Sequence, residues 1–274
     1  MKKVLLIVLV VSMFLISFAE TLVIKGSNTV FPVSQLWIEE LQKVYPEMTM
    51  TLEGAGSSTG IAGLFNGTAD IGNSSRYLKS SEIQKMLEDG KYIIPIVFGY
   101  DGIAVIVHKD LGIDNISSAD LKRIYAGEIS TWNQLNPNLP RQRIVVYSRN
   151  TASGTYETFS EKIMNKDRMA ASVRMVESTQ AEINAIATNR YAIGYAGVGY
   201  VTQDVKVLTV DGVYPTKTDI LGGIYPISRP LFFFIEATNQ FPSSGPIKKY
   251  IDFGLSKRGQ ELVEQAGYVA AYGF

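Results

Sequence analysis

The feature that most constrains the fold of this chain is a local unit that occurs three times. A short apolar strand runs into a turn rich in Gly, Ser, Thr or Asn, and an amphipathic helix follows at once. In the middle copy, residues 48–52 alternate as a strand and deliver the chain to Gly54-Ala-Gly-Ser-Ser-Thr-Gly60, after which Ile61, Leu64 and Phe65 recur at helical spacing. In the first copy, residues 21–25 lead to Gly26-Ser-Asn-Thr-Val-Phe-Pro32, and Val33, Leu36, Trp37, Leu41 and Val44 continue as a helix with Pro32 in its first turn. In the third, residues 143–147 meet Ser148-Arg-Asn-Thr-Ala-Ser-Gly-Thr155, with a helix through Phe159, Ile163 and Met164. One such turn would be ordinary loop chemistry. Three point to a common purpose.

That purpose follows from the helix starts. A helix N-terminus exposes unpaired N–H groups and the positive end of a dipole, so an anion is stabilised there. Glycine lets backbone approach a ligand closely, and Ser57, Ser58 and Thr59 supply hydroxyls suited to N-capping. Three hydroxyl-rich helix starts with Arg149 at the mouth of one of them suit a dehydrated tetrahedral oxyanion. Arg76 closes the run Asp70-Ile-Gly-Asn-Ser-Ser-Arg76 and is a second candidate cation; a surface or ion-pairing role is the alternative for both arginines.

The rest of the chain alternates strands with helices, which predicts α/β layers. Residues 92–107 form a long β-branched strand with Tyr100-Asp101-Gly102 inside it, where glycine suggests a bend or hinge. Residues 80–87 read as a surface helix, Ser117 and Thr179 as caps of short helices, 191–195 and 205–210 as strands, 227–235 as an apolar strand crossing back, and 246–264 as one amphipathic closing helix.

Composition narrows the function. The 274 residues carry 26 basic and 26 acidic side chains and are 46% hydrophobic, which fits a globular protein with a substantial core and no basic face for nucleic acid. Lys2 and Lys3, an apolar run to Phe18 and small residues at 17 and 19 read as a signal peptide over residues 1–19; a membrane anchor is the alternative, but the run is short for a span. The mature chain then has a net charge of about −2 and a periplasmic address. There is no cysteine and one histidine, so a disulfide, a lipidated cysteine and the commonest zinc ligands are lacking; no metal and no cofactor is expected. Gly56-Ser-Ser-Thr-Gly60 matches the letters of a nucleophile elbow, which would make Ser58 the nucleophile of a secreted serine esterase. Its base would have to be His108, which precedes no evident acid in the usual order, so no catalytic residue is assigned.

Six segments occur in an order that resembles the phosphate-binding proteins of phosphate-specific ABC transporters. They are the three turns above, Asp70 to Arg76, Ala192-Ile-Gly-Tyr195 and Tyr225-Pro-Ile-Ser-Arg-Pro230, and they span nearly all of the mature chain. The resemblance implies a type II periplasmic-binding-protein fold: two α/β lobes, of residues 20–102 with 228–274 and of 103–227, joined by two crossover segments. They would close on one inorganic phosphate and hand it to membrane permease subunits, the binder acting as a monomer. Carried over by motif, the anion contacts are Ser27, Thr29, Val30, Ser57, Ser75, Arg76, Arg149, Ser153, Gly154 and Thr155. Where well-known members carry an Asp that accepts the proton of hydrogen phosphate, this chain has Ser75. The acceptor is then expected at Asp101 or Glu157, with sulfate or molybdate as alternative ligands.

Overall fold

The computed structural model describes residues 21–273. The signal-peptide segment lies outside the described residues. In chain order the first elements are β1 (Thr21–Gly26), α1 (Phe31–Val44), β2 (Thr49–Gly54), α2 (Ser57–Phe65), β3 (Ile71–Ser74), α3 (Ser80–Glu88) and the 16-residue β4 (Ile93–His108). Then come β5 (Asn115–Ile116), α4 (Ser118–Tyr125), β6 (Val145–Arg149), α5 (Gly154–Lys162), β7 (Arg174–Val176), α6 (Thr179–Ala187), β8 (Ala192–Gly197), β9 (Val205–Val210) and α7 (Lys217–Leu221). The chain closes with β10 (Ser228–Glu236), α8 (Gly245–Leu255), α9 (Lys257–Gln265) and β11 (Val269–Ala270).

The strands follow the order β2-β1-β3-β10-β4-β8-β6-β7. β1 runs parallel to both β2 and β3, as the intervening helices require, and β10 returns antiparallel between β3 and β4. β4 changes partner along its length. Residues 93–102 pair with β10, whereas Ile103 to Val107 pair with β8. The expected bend at Gly102 therefore falls where the strand leaves one set of neighbours for another. There the Ile103 N–H donates to the Ile227 carbonyl at 2.8 Å, binding the two crossing segments together.

The protein is a two-lobed α/β fold of mixed sheet flanked by helices. One lobe is built around Leu22, Ile24, Trp37, Phe98, Phe233 and Tyr250, and the other around Ile103, Val105, Tyr125, Trp132, Phe159 and Tyr195. Such side chains contribute about 1.5–3 kcal/mol each on full burial, so each lobe has an apolar core of its own. Trp37 meets Phe98, Phe233 and Tyr250 edge-on and donates its indole N–H to the Gly259 carbonyl at 2.9 Å.

Three local expectations are corrected. The closing segment is two helices, because Ser256 turns out of α8 into extended backbone and caps α9 by accepting from the Gly259 N–H. The cap of α6 is Ser178 rather than Thr179. At α2 the cap is Gly56, at φ 103°, with no side-chain hydrogen bond, so the three hydroxyls after it are not consumed in capping. α3 is the expected surface helix; none of its residues is buried.

Candidate anion site

The starts of α1, α2 and α5 meet between the lobes. Ser27 and Thr29 precede α1, Ser57 opens α2, and Ser153 caps α5 ahead of Gly154 and Thr155. All of these residues are buried. Ser27 Oγ donates to Ser75 Oγ at 3.1 Å, Ser57 Oγ lies 3.4 Å from Ser75 Oγ and accepts from the Ser75 N–H at 3.1 Å, and Thr29 Oγ1 lies 3.0 Å from Thr155 Oγ1. The last contact joins the two lobes. Val30 is the N-cap of α1 and fully buried, so its N–H belongs to the unpaired first-turn set of an α-helix. Ser153 Oγ accepts from the N–H groups of Thr155 and Tyr156, which fixes the first turn of α5 and leaves its own O–H proton to donate elsewhere.

Glycine makes the approach possible. A Cβ on Gly154 would stand 2.4 Å from Ser57 Oγ and 2.7 Å from Ser75 Oγ, although its backbone would accept any residue. Across the same seam the Ser58 N–H donates to the Ala152 carbonyl at 3.2 Å. Gly154→Ala is therefore expected to oppose closure while leaving each lobe folded. Overpacking of this kind costs about 1–3 kcal/mol, or roughly 5- to 150-fold in anion affinity. Calorimetric titration beside thermal unfolding checks this; wild-type affinity would show that the seam opens freely.

One guanidinium group bonds into this cluster and a second lies beside it through Asn28; the first was not singled out from the sequence. Arg229, at the start of β10, pairs with the fully buried Asp101 on β4 through Nε at 2.9 Å and Nη2 at 2.7 Å. The same Nη2 donates to Thr29 Oγ1 at 3.2 Å and to Thr155 Oγ1 at 3.1 Å, touching a helix start from each lobe. The signal was an arginine within an otherwise apolar strand. The second group is Arg149, which ends β6. Its Nη1 donates to Thr179 Oγ1 at 2.7 Å and its Nη2 to the Glu177 carbonyl at 2.8 Å. With the Asn28 amide oriented to satisfy both its ends, Asn28 donates to the Gly54 carbonyl at 3.1 Å and accepts from Arg149 Nη2 at 3.0 Å. Arg149 Nε is buried without a partner.

Burial lowers the pKa of Arg149, against the pull of Glu182 and Tyr195. Glu182, on α6, is itself fully buried. Its Oε1 accepts from the Tyr195 N–H at 3.0 Å, Oε2 has no partner, and burial pushes the carboxyl up to about 8. A carboxyl held neutral leaves the Arg149 charge available to an anion.

Three expected contacts are engaged by other partners. Arg76 is held by Glu82 through both Nη atoms, at 2.8 and 2.7 Å, and by Ser58 Oγ at 3.0 Å, because the start of α3 presents that carboxylate within reach. It braces α2 against α3. Glu157 pairs with Lys79 at 2.8 Å at the cleft edge. Asp101 is close to the cluster, but its Oδ2 is engaged by Arg229 and its Oδ1 by the Val198 N–H at 3.0 Å; burial raises its pKa and Arg229 opposes that. The esterase pairing does not form either: Ser58 Oγ accepts from Arg76, while His108 Nδ1 accepts from the Asp110 N–H. Among the described residues no group of three or more His, Cys, Asp or Glu could hold a metal ion.

The profile of the PBP superfamily domain matches residues 18–258 of this sequence. The chain belongs to the PBP superfamily. Within that superfamily it is 31% identical to the phosphate-binding protein PstS of Borreliella burgdorferi, over 98% of this chain and 99% of that one. It is also 31% identical to PstS of Staphylococcus haemolyticus, over 90% of this chain and 80% of the relative. Among solved structures it is similar to a Clostridium perfringens protein assigned as a phosphate ABC transporter substrate-binding protein and crystallised with bound phosphate. The TM-score is 0.84 at 30% identity, covering 92% of this chain and all of that one. In this PBP-superfamily chain, the helix starts read from local sequence lie in the cleft between the lobes, while the central arginine comes from the returning strand.

Proposed function

We propose that this protein binds inorganic phosphate between its lobes, outside the cytoplasm, and delivers it to an ABC permease for import, as a binder and not a catalyst. The observation that carries the reading is the Arg229 guanidinium. It is anchored by Asp101 and aimed at Thr29 and Thr155, so one cation faces hydroxyls from both lobes. The PstS relatives and the phosphate-bound Clostridium perfringens structure support phosphate as the ligand. The expected signal segment supports export, and no helix among the described residues is long and apolar enough to cross a membrane. The lobes meet at Gly102/Ile103 and Ile227/Ser228 in this reading, and the anion favours closure because only the closed form brings both sets of donors within one hydrogen-bond length.

In this assignment Ser27, Thr29, Val30, Ser57, Ser75, Arg149, Ser153, Gly154, Thr155 and Arg229 face the anion. Asp101 acts as counter-ion to Arg229. The proton of hydrogen phosphate falls to Ser75, whose hydroxyl both donates and accepts. Sulfate has no such proton to offer, and because the Ser75 hydroxyl can turn to donate to it instead, this residue separates the two anions less sharply than an acceptor-only carboxylate. Calorimetric titration of phosphate-stripped protein with phosphate and then sulfate, at two pH values spanning the second ionisation of phosphate, is expected to give tight binding of phosphate and weaker binding of sulfate. Equal affinities would withdraw phosphate in favour of oxyanions in general. Binding of neither would sink the site.

A further inference from the structure

We propose that the Lys79–Glu157 ion pair is a gate on the doorway of the anion site, in which Lys79 receives the incoming anion and turns to Glu157 as the lobes close. The inference rests on the phosphate reading above and adds a route into the site.

A cavity of about 620 Å³ adjoins the hydroxyl cluster, and Arg229 belongs to the walls of both. The cavity lies between lobes, with Arg76 to Ser81 on one side and Glu157 to Lys166 on the other. Five cationic side chains line it against Glu157 and Glu161, and two of the five, Arg76 and Arg229, carry Glu82 and Asp101 as counter-ions, so a net excess of one positive charge remains. Walls of one sign concentrate the field in a cleft and raise the local concentration of oppositely charged ligands. An anion approaching Arg229 through this cavity passes Lys79 and Lys162.

Lys79 and Glu157 stand across that passage. Lys79 is the N-cap of α3 on the first lobe, Glu157 is in the first turn of α5 on the second, and both line the cavity. Their 2.8 Å contact joins lobes, and each side chain is about one-third exposed, 35% and 30%. Separating the lobes must break it. In the separated form Lys79 has no carboxylate from the other lobe and attracts an anion. On closure Glu157 takes its place, so the ammonium stays compensated while the anion moves inward to Arg229. The Arg76–Glu82 pair beside it lies within one lobe and cannot serve this way.

A second inter-lobe ion pair, Lys217–Glu264 at 3.3 Å, provides the control, because neither residue lines this cavity. The test uses the mature protein with radiolabelled phosphate: equilibrium dialysis gives Kd, a chase with excess unlabelled phosphate gives the release rate, and their quotient gives the association rate. Lys79→Ala is expected to slow association about three- to tenfold at low salt and to flatten its dependence on salt. Glu157→Gln is expected to speed release severalfold while leaving association unchanged or faster. Lys217→Ala should change neither the association rate nor its salt dependence. Wild-type association and salt dependence in Lys79→Ala, or the same effect in Lys217→Ala, would overturn the gate while wild-type binding still upheld the phosphate reading. Failure of the wild-type protein to bind phosphate would instead remove the reading on which the gate rests.

Discussion

Arg229→Ala is expected to abolish tight phosphate binding and to lower folding stability by about 3–5 kcal/mol, the usual result of breaking a buried ion pair from one side. The cause is the partner left behind. Asp101 is fully buried, and two of its three hydrogen bonds come from Arg229, leaving only the Val198 N–H. The loss should shrink as the pH falls toward the ordinary carboxylate range. Unpaired Asp101 has its pKa raised further in the folded state, so its destabilising effect is absent below the unfolded-state pKa and grows as the pH rises. A double variant, Asp101→Asn with Arg229→Met, is expected to regain most of the stability and none of the affinity. Denaturant unfolding gives the first quantity and calorimetry the second. A single variant within 1 kcal/mol of wild type would mean that water reaches Asp101, contrary to its burial.

Arg149→Ala is expected to act on binding with little effect on folding. Among the described residues Arg149 makes no ion pair; it is held by a threonine hydroxyl, a backbone carbonyl and an amide oxygen. Truncating it leaves three acceptors that water can satisfy, whereas the anion loses a desolvated charge partner. Such truncations cost about 2–5 kcal/mol, so phosphate affinity should fall by roughly 30-fold to several thousandfold while cooperative unfolding is retained. Arg149→Lys should recover little, because one ammonium cannot reproduce a fork that spans Thr179, Glu177 and Asn28. Unchanged affinity in Arg149→Ala would remove this residue from the site and leave Arg229 as its cation.

In the proposed assignment the two arginines account for how a site made mostly of neutral donors would hold a dianion. Arg229 carries its own counter-ion, and Arg149 lies near a carboxyl that burial keeps largely neutral. The remaining stabilisation comes from hydroxyls and three helix starts, whose partial charges are fixed in place by the sheets behind them. Closure is then governed by fit. Gly154 against Ser57, and Gly56 beneath the Ala152 carbonyl, let backbone from one lobe lie within a side chain's width of the other.

The sequence alone determined the three strand–turn–helix units, the lobe-forming alternation of strands and helices, and most of the hydroxyls that gather in the cleft. These features are local: a turn, its glycines and the helix after it lie within about ten residues, so spacing and side-chain chemistry suffice to read them. Tertiary structure decided the charges. Arg229 and Asp101 are 128 positions apart and meet only because β10 returns beside β4. Arg76 reads from the sequence as a second candidate cation after Arg149, but α3 brings Glu82 against it. Glu157 was drawn to Lys79 on the opposite lobe, and the cap of α2 fell on a glycine one position before the serines, leaving the Ser57 hydroxyl to the cluster while that of Ser58 receives Arg76. Long side chains go where the fold places an opposite charge, and sheet order, which no local pattern encodes, fixes that place.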